Sequence, residues 1–175
     1  VSSMSAYWKF GAMIATSTAV MLLLMYFNTF TWAHLTWSET RFYMAFVMGA
    51  AMAIIMLSFM LGMYKDRRIN LGIYVGASLM FVVALWLVRS QSTVEDRSWM
   101  SAMIPHHSIA ILTSERADIS DPRVRELADD IIKAQRREIK EMKWLIDDIA
   151  TNGLALSEEA AKARPVPEFD GELNP

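Results

Sequence analysis

The chain has 175 residues, of which 54% are hydrophobic and 21% are charged, and its formal net charge is −2. This balance is too apolar for an average soluble domain, and it supplies no excess positive charge for binding nucleic acid. The absence of cysteine excludes disulfides, thiolate metal sites and thiol nucleophiles. Most apolar runs precede Arg89 and most charges follow it, which indicates a membrane anchor joined to a water-exposed domain.

The first 90 residues contain three uncharged apolar segments, 10–30, 42–64 and 71–88. Each is about 18 to 23 residues long, which is enough to cross roughly 30 Å of hydrocarbon as an α-helix. We therefore predict three transmembrane helices within a membrane anchor that covers residues 1–90, with membrane lipid as one partner.

The charges in the connections between these segments predict the orientation. Lys65, Arg67 and Arg68 lie between the second and third segments. The connection that precedes the second segment has Arg41 as its only lysine or arginine. Positively charged loops stay in the cytoplasm. The N-terminus is therefore predicted to be cytoplasmic and the chain after Arg89 periplasmic, in a bacterial inner membrane.

The second segment has a methionine at every fourth position from Met44 to Met60. Thioethers bind the soft ion Cu(I), so the row could be a copper ladder. Flexible methionines also suit helix packing beside small residues such as Gly49 and Ala53. Packing is the favoured interpretation, because a four-residue step drifts by about 40° around a helix.

Beyond the anchor, the pattern predicts a two-helix hairpin over 94–150. Asp121 and Pro122 supply an N-cap and a first-turn proline for its second helix. Gly153 is a typical residue for ending that helix. The remaining residues, 151–175, have the composition of an extended or disordered tail.

A hairpin of this size cannot bury much core by itself. We therefore expect a homo-oligomer, in which a second copy completes a set of four helices, or docking on a larger membrane complex. The charged stretch from Lys133 to Lys143 is predicted to be a solvated face of the second helix.

Both hairpin helices carry potential metal ligands at helical spacing. On the first, Met100, Met103 and His107 share an arc of about 60° with His106 at its edge, and on the second a Gln/Glu/Met set repeats the i, i+3, i+7 spacing. The candidate ligands are Met100, Met103, His106, His107, Gln135, Glu138 and Met142. Sulfur and nitrogen donors favour copper, Cu(I) above all, and a carboxylate would also admit Zn(II) or Cu(II).

Other interpretations of these residues stay open. The methionines could be ordinary core residues, and the glutamine and glutamate could lie at the solvent-exposed edge of their helix. His34, in the connection after the first segment, is interpreted as an interfacial residue or an accessory ligand. Pro105 removes an N–H and clashes with the preceding turn at Ser101, and such local violations occur often at functional sites.

The two halves of the hairpin carry a pair of motifs. The first half matches Asp-x-x-aromatic-x-x-x-Met-Ile-Pro-His-His-x-x-Ala-Ile, through Asp96, Trp99, Met103, Ile104, Pro105, His106, His107, Ala110 and Ile111. The second matches Leu-Ala-x-x-Ile-Ile-x-Ala-Gln-x-x-Glu-Ile-x-x-Met, through Leu127, Ala128, Ile131, Ile132, Ala134, Gln135, Glu138, Ile139 and Met142. Together they resemble the bacterial domain of unknown function 305, a ferritin-like helical domain.

The resemblance implies that the hairpin is half of a ferritin-like four-helix bundle. Some periplasmic members of that family bind copper and support copper tolerance through methionine and histidine. That role carries over to the matching Met100, Met103, His106, His107 and Met142. Thr113 and Ser114 stand where many members have another methionine followed by alanine.

Two functions follow as predictions. The leading one is a membrane-anchored periplasmic module for copper binding or copper homeostasis. The alternative is an accessory structural subunit of a larger respiratory or photosynthetic membrane complex, with no metal bound. We predict no enzyme, because the spacing supports no nucleophile–base pair, and the Glu-x-x-His pairs of di-iron bundles do not occur at the motif histidines.

Overall fold

The computed structural model describes residues 3–173. Within that range the protein is all-α, as the sequence predicts, with one short 3-10 helix at Trp32–His34 and no strand. The α-helices are α1 (Ser3–Leu24), α2 (Glu39–Phe59), α3 (Arg67–Ser90), α4 (Asp96–Arg116), α5 (Pro122–Asn152) and α6 (Glu158–Ala163).

The described chain forms two compact units. The anchor unit comprises the chain up to Phe27 together with Glu39–Val94, and the helix-pair unit comprises Asn28–Ser38 and the chain from Glu95 onward. The second unit therefore takes in the connection between α1 and α2, which we call the docking segment (28–38).

Three helices of the anchor unit are long and apolar enough to cross a membrane, at Met4–Leu24, Glu39–Phe59 and Arg67–Ser90. This confirms the prediction of three helices with that length and composition. Helix α2 packs against both α1 and α3. A side chain at Gly49 would overlap Thr18, so glycine here permits the close approach of α1 and α2.

Helix α1 ends at Leu24, although the uncharged run continues to residue 30. Arg41 Nη1 donates to the carbonyl of Met25 at 2.8 Å, which satisfies one acceptor at this helix end. The apolar Phe30 packs against the core of the helix-pair unit instead. Hydropathy alone does not distinguish a side chain that faces lipid from one that is buried in protein.

The ends of α5 follow from the residue types that the sequence offers. Asp121 Oδ1 accepts the backbone N–H of Arg123 at 2.9 Å, and Pro122 occupies the first helical position. Gly153 follows the last turn with φ 76°, a backbone conformation that glycine adopts without a Cβ penalty.

Helices α4 and α5 pack against each other. The side chains buried between them form a single apolar cluster, made of Met100, Ile104, Ile111, Ile139 and Met142. Burying such a set contributes roughly 1.5–3 kcal/mol per side chain before entropy is counted. This cluster is the core that positions the candidate ligands.

Beyond α5, the chain is held against that helix in several places. Ser157 caps the short α6 by accepting the N–H of Ala160 at 3.1 Å. Arg164 Nη1 lies 2.7 Å from Asp148 Oδ2, and Lys140 Nζ donates to the carbonyl of Asp170 at 2.8 Å. The described part of residues 151–175 thus contains the short helix α6 and defined contacts with α5.

Candidate metal centre

His107 is held by both of its ring nitrogens. Nδ1 lies 3.0 Å from the carbonyl oxygen of Met103, one turn earlier in α4, and Nε2 lies 2.7 Å from Glu138 Oε2 on α5. A carbonyl can only accept, so Nδ1 carries a hydrogen in this arrangement. Metal-binding histidines commonly donate one ring N–H to a backbone carbonyl in this way. The other ring nitrogen of His107, Nε2, is the candidate ligand atom, and it is paired with the Glu138 carboxylate.

Three thioether side chains gather between the same two helices. Met100 and Met142 are 5% and 6% exposed and belong to the same buried cluster, and Met103 packs against that cluster. Met103 also carries the carbonyl that orients His107. The α4–α5 interface therefore contains three thioethers, and the contact between His107 and Glu138 joins the same two helices.

The two other predicted ligands lie less centrally. His106 is exposed, with its ring centroid 6.3 Å from that of His107 and the ring planes at 66°. Gln135 is half-buried on α5. Gln135 lies one helical turn before Glu138, and its role as a ligand stays a prediction.

The donor set suits a soft ion. Within residues 3–173, no three or more His, Asp or Glu side chains are grouped so that they could hold one ion. Zinc sites generally require three or four nitrogen, oxygen or thiolate ligands, whereas Cu(I) accepts thioethers and imidazole. The residues present therefore fit Cu(I) better than a harder cation.

Helix α4 continues through Pro105, which is buried. Because proline has no N–H, the carbonyl of Ser101 loses its usual helical donor. The hydroxyl of Thr36, in the docking segment, donates to that carbonyl at 2.6 Å. The carbonyl that Pro105 deprives of its helical donor thus receives one from Thr36, a residue far away in the chain.

Ser108 is the second anchor point of the docking segment. It is fully buried, and its Oγ accepts the backbone N–H of Phe30 at 2.6 Å and lies 2.9 Å from Nδ1 of His34. Neither the spacing of the candidate ligands nor the two motifs indicated Ser108. A polar residue on the apolar face between Ile104 and Ile111 is the signal that could have identified it.

The docking segment also contacts α5. Lys143 Nζ donates to the carbonyl of Ala33 at 3.2 Å, and the guanidinium of Arg136 lies 5.6 Å from the centre of the Phe30 ring. On α4 its hydrogen bonds go to residues about 100–120° around the helix from His107. The segment thus supports α4 and α5 beside the candidate centre.

Arg136 corrects the prediction that the charged stretch of α5 is solvated. Its side chain is only 10% exposed and pairs with Glu115. It also donates to the carbonyl of Glu172 at 2.5 Å. Lys133, Arg137 and Lys140 are exposed as predicted. The periodic pattern did not separate Arg136 from its neighbours, because its partners lie on α4, the docking segment and the C-terminal residues.

His34 makes the docking segment sensitive to pH. Burial lowers the pKa of His34 below its usual 6.5, and the charge of Lys143 lowers it further. The unfolded segment therefore binds more protons below pH 6.5 than the docked one. Docking is fully stable above that pH and weakens as the pH falls through the window below it.

We expect faster hydrogen exchange in peptides covering residues 28–38 at pH 5 than at pH 7.5, after correction for intrinsic rates. The His34→Gln variant should lose most of this difference, because it removes the titrating group. A His106→Gln control, at an exposed histidine, should keep it. An identical pH response in wild type and His34→Gln would contradict the assignment.

The described fold is an all-α protein in which three apolar helices precede a packed helix pair with a Met/His face. Residues 86–146 match the model of the family described as a domain of unknown function, DUF305, which is the family that the two motifs of this segment resemble. The match covers α4, most of α5 and the end of α3. It does not cover α1 or α2.

A curated relative is similar over an alignment about as long as the family match. The chain is 38% identical over 69 residues to "Uncharacterized protein L153" of Acanthamoeba polyphaga mimivirus. This alignment covers 38% of the chain and 45% of the relative, so the chain spans less than half of that protein. No solved structure matches the chain.

Proposed function

We propose that this protein is a membrane-anchored copper-binding module that handles copper at the periplasmic face of a bacterial inner membrane. The observation that carries the proposal is the fixed His107 ring, whose Nε2 faces Glu138 at 2.7 Å, on the helix pair whose core contains Met100 and Met142 with Met103 packed against it. Thioether and imidazole donors together are typical of Cu(I) sites. Copper is the cargo in this proposal.

Each ligand has a distinct part. Met100, Met103 and Met142 would supply soft sulfur donors in a dry interface, and His107 would supply nitrogen through Nε2. Glu138 would release or share that nitrogen when the ion enters. His106 and Gln135 would contact the ion from the edge of the site, His106 from its exposed position next to His107.

The proposed location rests on the anchor. Helices α1, α2 and α3 have the length and hydropathy of membrane spans, and three basic residues lie around the connection between α2 and α3, namely Lys65, Arg67 and Arg68. The positive-inside rule then puts that connection in the cytoplasm and α4 and α5 outside it. In this arrangement the two helices form a periplasmic hairpin equivalent to half of a ferritin-like bundle.

The test is an anaerobic titration of the full chain in detergent with Cu(I), against a chromophoric Cu(I) chelator as competitor. We expect about one equivalent to bind per chain. A variant with Met100, Met103 and Met142 changed to leucine should lose that equivalent, because leucine conserves the volume but removes the sulfur donors. A matched variant with Met44, Met48 and Met52 changed to leucine should keep it. Absence of binding by the wild type would refute the proposal.

The alternative function is an accessory structural subunit of a larger membrane complex, and one observation favours it. Trp99 on α4 and Leu127 on α5 are 51% and 60% exposed, which leaves apolar surface on both helices that a partner could cover. A second copy of the chain could provide the same cover. Mild solubilisation that retains a stoichiometric partner, with no copper on the protein, would support the subunit over the copper module.

A further inference from the structure

A groove of about 900 Å³ runs along the anchor unit between α1 and α3, with α2 at its back. Small residues widen it: at Gly11 and Gly76, a side chain would meet no atom within 4 Å. The residues of α1 that line the groove run from Met4 to Leu22, about 27 Å at 1.5 Å per residue. That length exceeds the roughly 15 Å depth of one bilayer leaflet.

One end of the groove is strongly cationic. Lys9, Lys65, Arg67 and Arg68 are all exposed there. None of them forms a salt bridge with a carboxylate of the described residues. The nearby carboxylate of Asp66 is occupied by capping α3, since its Oδ1 accepts the N–H groups of Arg68 and Ile69 at 2.9 and 3.2 Å.

Tyr7, at this end of the groove, links the start of α1 to the start of α3. Tyr7 Oη lies 2.7 Å from Asn70 Oδ1 and accepts the N–H of Asp66 at 3.1 Å. The start of α1 is therefore joined to the start of α3, which brings Lys9 and the cations around Asp66 to the same end. Trp8, which also lines the groove, is 76% exposed, as is usual for tryptophan at the headgroup level of a membrane.

We propose that this groove binds an anionic phospholipid, with an acyl chain along α2 and the acidic headgroup against the cations at the starts of α1 and α3. The charge distribution favours a lipid over a second transmembrane helix. An apolar helix in the groove would leave the basic residues without counter-charges, whereas the phosphate of an anionic lipid places a negative charge among them. Clusters of basic residues directly beside transmembrane helices commonly attract anionic lipids.

The test uses the full chain in mild detergent, without copper. Equal amounts of phosphatidylglycerol and phosphatidylcholine with identical acyl chains are added, and the retained lipids are counted by native mass spectrometry. The wild type should retain phosphatidylglycerol in about tenfold preference, because only this lipid has a net negative charge and two nearby cations, at about fivefold each, set an upper limit of about 25-fold. The Arg67→Gln/Arg68→Gln variant should lose most of this preference.

Two further variants locate the lipid. Arg89→Gln/Arg97→Gln removes the same charge from exposed positions at the other end of α3 and the start of α4, and it should keep the wild-type preference. Gly76→Leu fills the open groove and should lower retention of both lipids severalfold.

Three outcomes would overturn the inference. The first is equal retention of the two lipids by the wild type, and the second is an undiminished preference in Arg67→Gln/Arg68→Gln. The third is a wild-type dimer that Gly76→Leu converts to monomer with lipid retention unchanged, which would assign the groove to a second copy. The inference rests on the membrane location in the proposed function but not on copper, so the copper titration and the lipid test can fail independently.

Discussion

Replacing His107 with alanine is expected to weaken Cu(I) binding by about 100-fold or more. Even residues that only orient a metal ligand change affinity by roughly 10- to 100-fold, and His107 is the central nitrogen donor of the proposed site. Its ring is oriented by the carbonyl of Met103 at 3.0 Å, so its loss removes a ligand that was already positioned. The measurement is the Kd for Cu(I), obtained by chelator competition on the full chain.

The neighbouring histidine provides the matched control. His106 is exposed and points about 100° away from His107 around α4, so His106→Ala should change the Kd less than tenfold. Both variants should keep the wild-type helical circular dichroism. Equal losses in the two variants would show that the ion binds to the exposed edge of α4 and not between α4 and α5.

Replacing Ser108 with alanine is expected to release the docking segment. Ser108 Oγ is the acceptor for the Phe30 N–H at 2.6 Å and the neighbour of His34 Nδ1 at 2.9 Å, and alanine leaves both without that partner. An unsatisfied buried polar group costs about 1–3 kcal/mol, which corresponds to roughly a 5- to 150-fold increase in opening. The rate of hydrogen exchange at the Phe30 amide measures this opening directly.

Ser101→Ala is the control for this variant. Ser101 lies two turns earlier on α4 and contributes its backbone carbonyl to the contact with Thr36, which the substitution leaves in place. We expect a change below about 0.5 kcal/mol, as for most substitutions away from such features. Unaltered Phe30 exchange in Ser108→Ala would mean that the docking segment is held by its other contacts alone.

Much of the helical framework could be predicted from local patterns. The apolar segments indicated three helices of membrane-spanning composition, and Asp121, Pro122 and Gly153 marked the ends of α5 where the structure has them. These signals are readable because helix formation and capping involve residues within about four positions of each other. The motif residues likewise identified the family of the segment 86–146.

The candidate centre was predictable only in part. Helical spacing placed Met100, Met103 and His107 on one face, and the structure does pack the methionines into the α4–α5 core. The pairing of His107 with Glu138, and the exposure of His106, depend on how two helices rotate against each other. That rotation follows from side-chain packing across the interface, which no spacing along a single helix encodes.

The sequence by itself determined the helices, the apolar composition of the anchor and the residue types available for soft-metal binding. Only the tertiary structure decided that the connection between α1 and α2 folds onto α4, where Thr36 supplies the donor that Pro105 removes. It also decided that the side chain of Arg136 is largely covered, at 10% exposed, while Lys133, Arg137 and Lys140 are exposed. The reason is the same in both cases: these contacts join residues far apart in the chain, such as Phe30 and Ser108, and their energy depends on burial and complementary partners that exist only once the helices have packed.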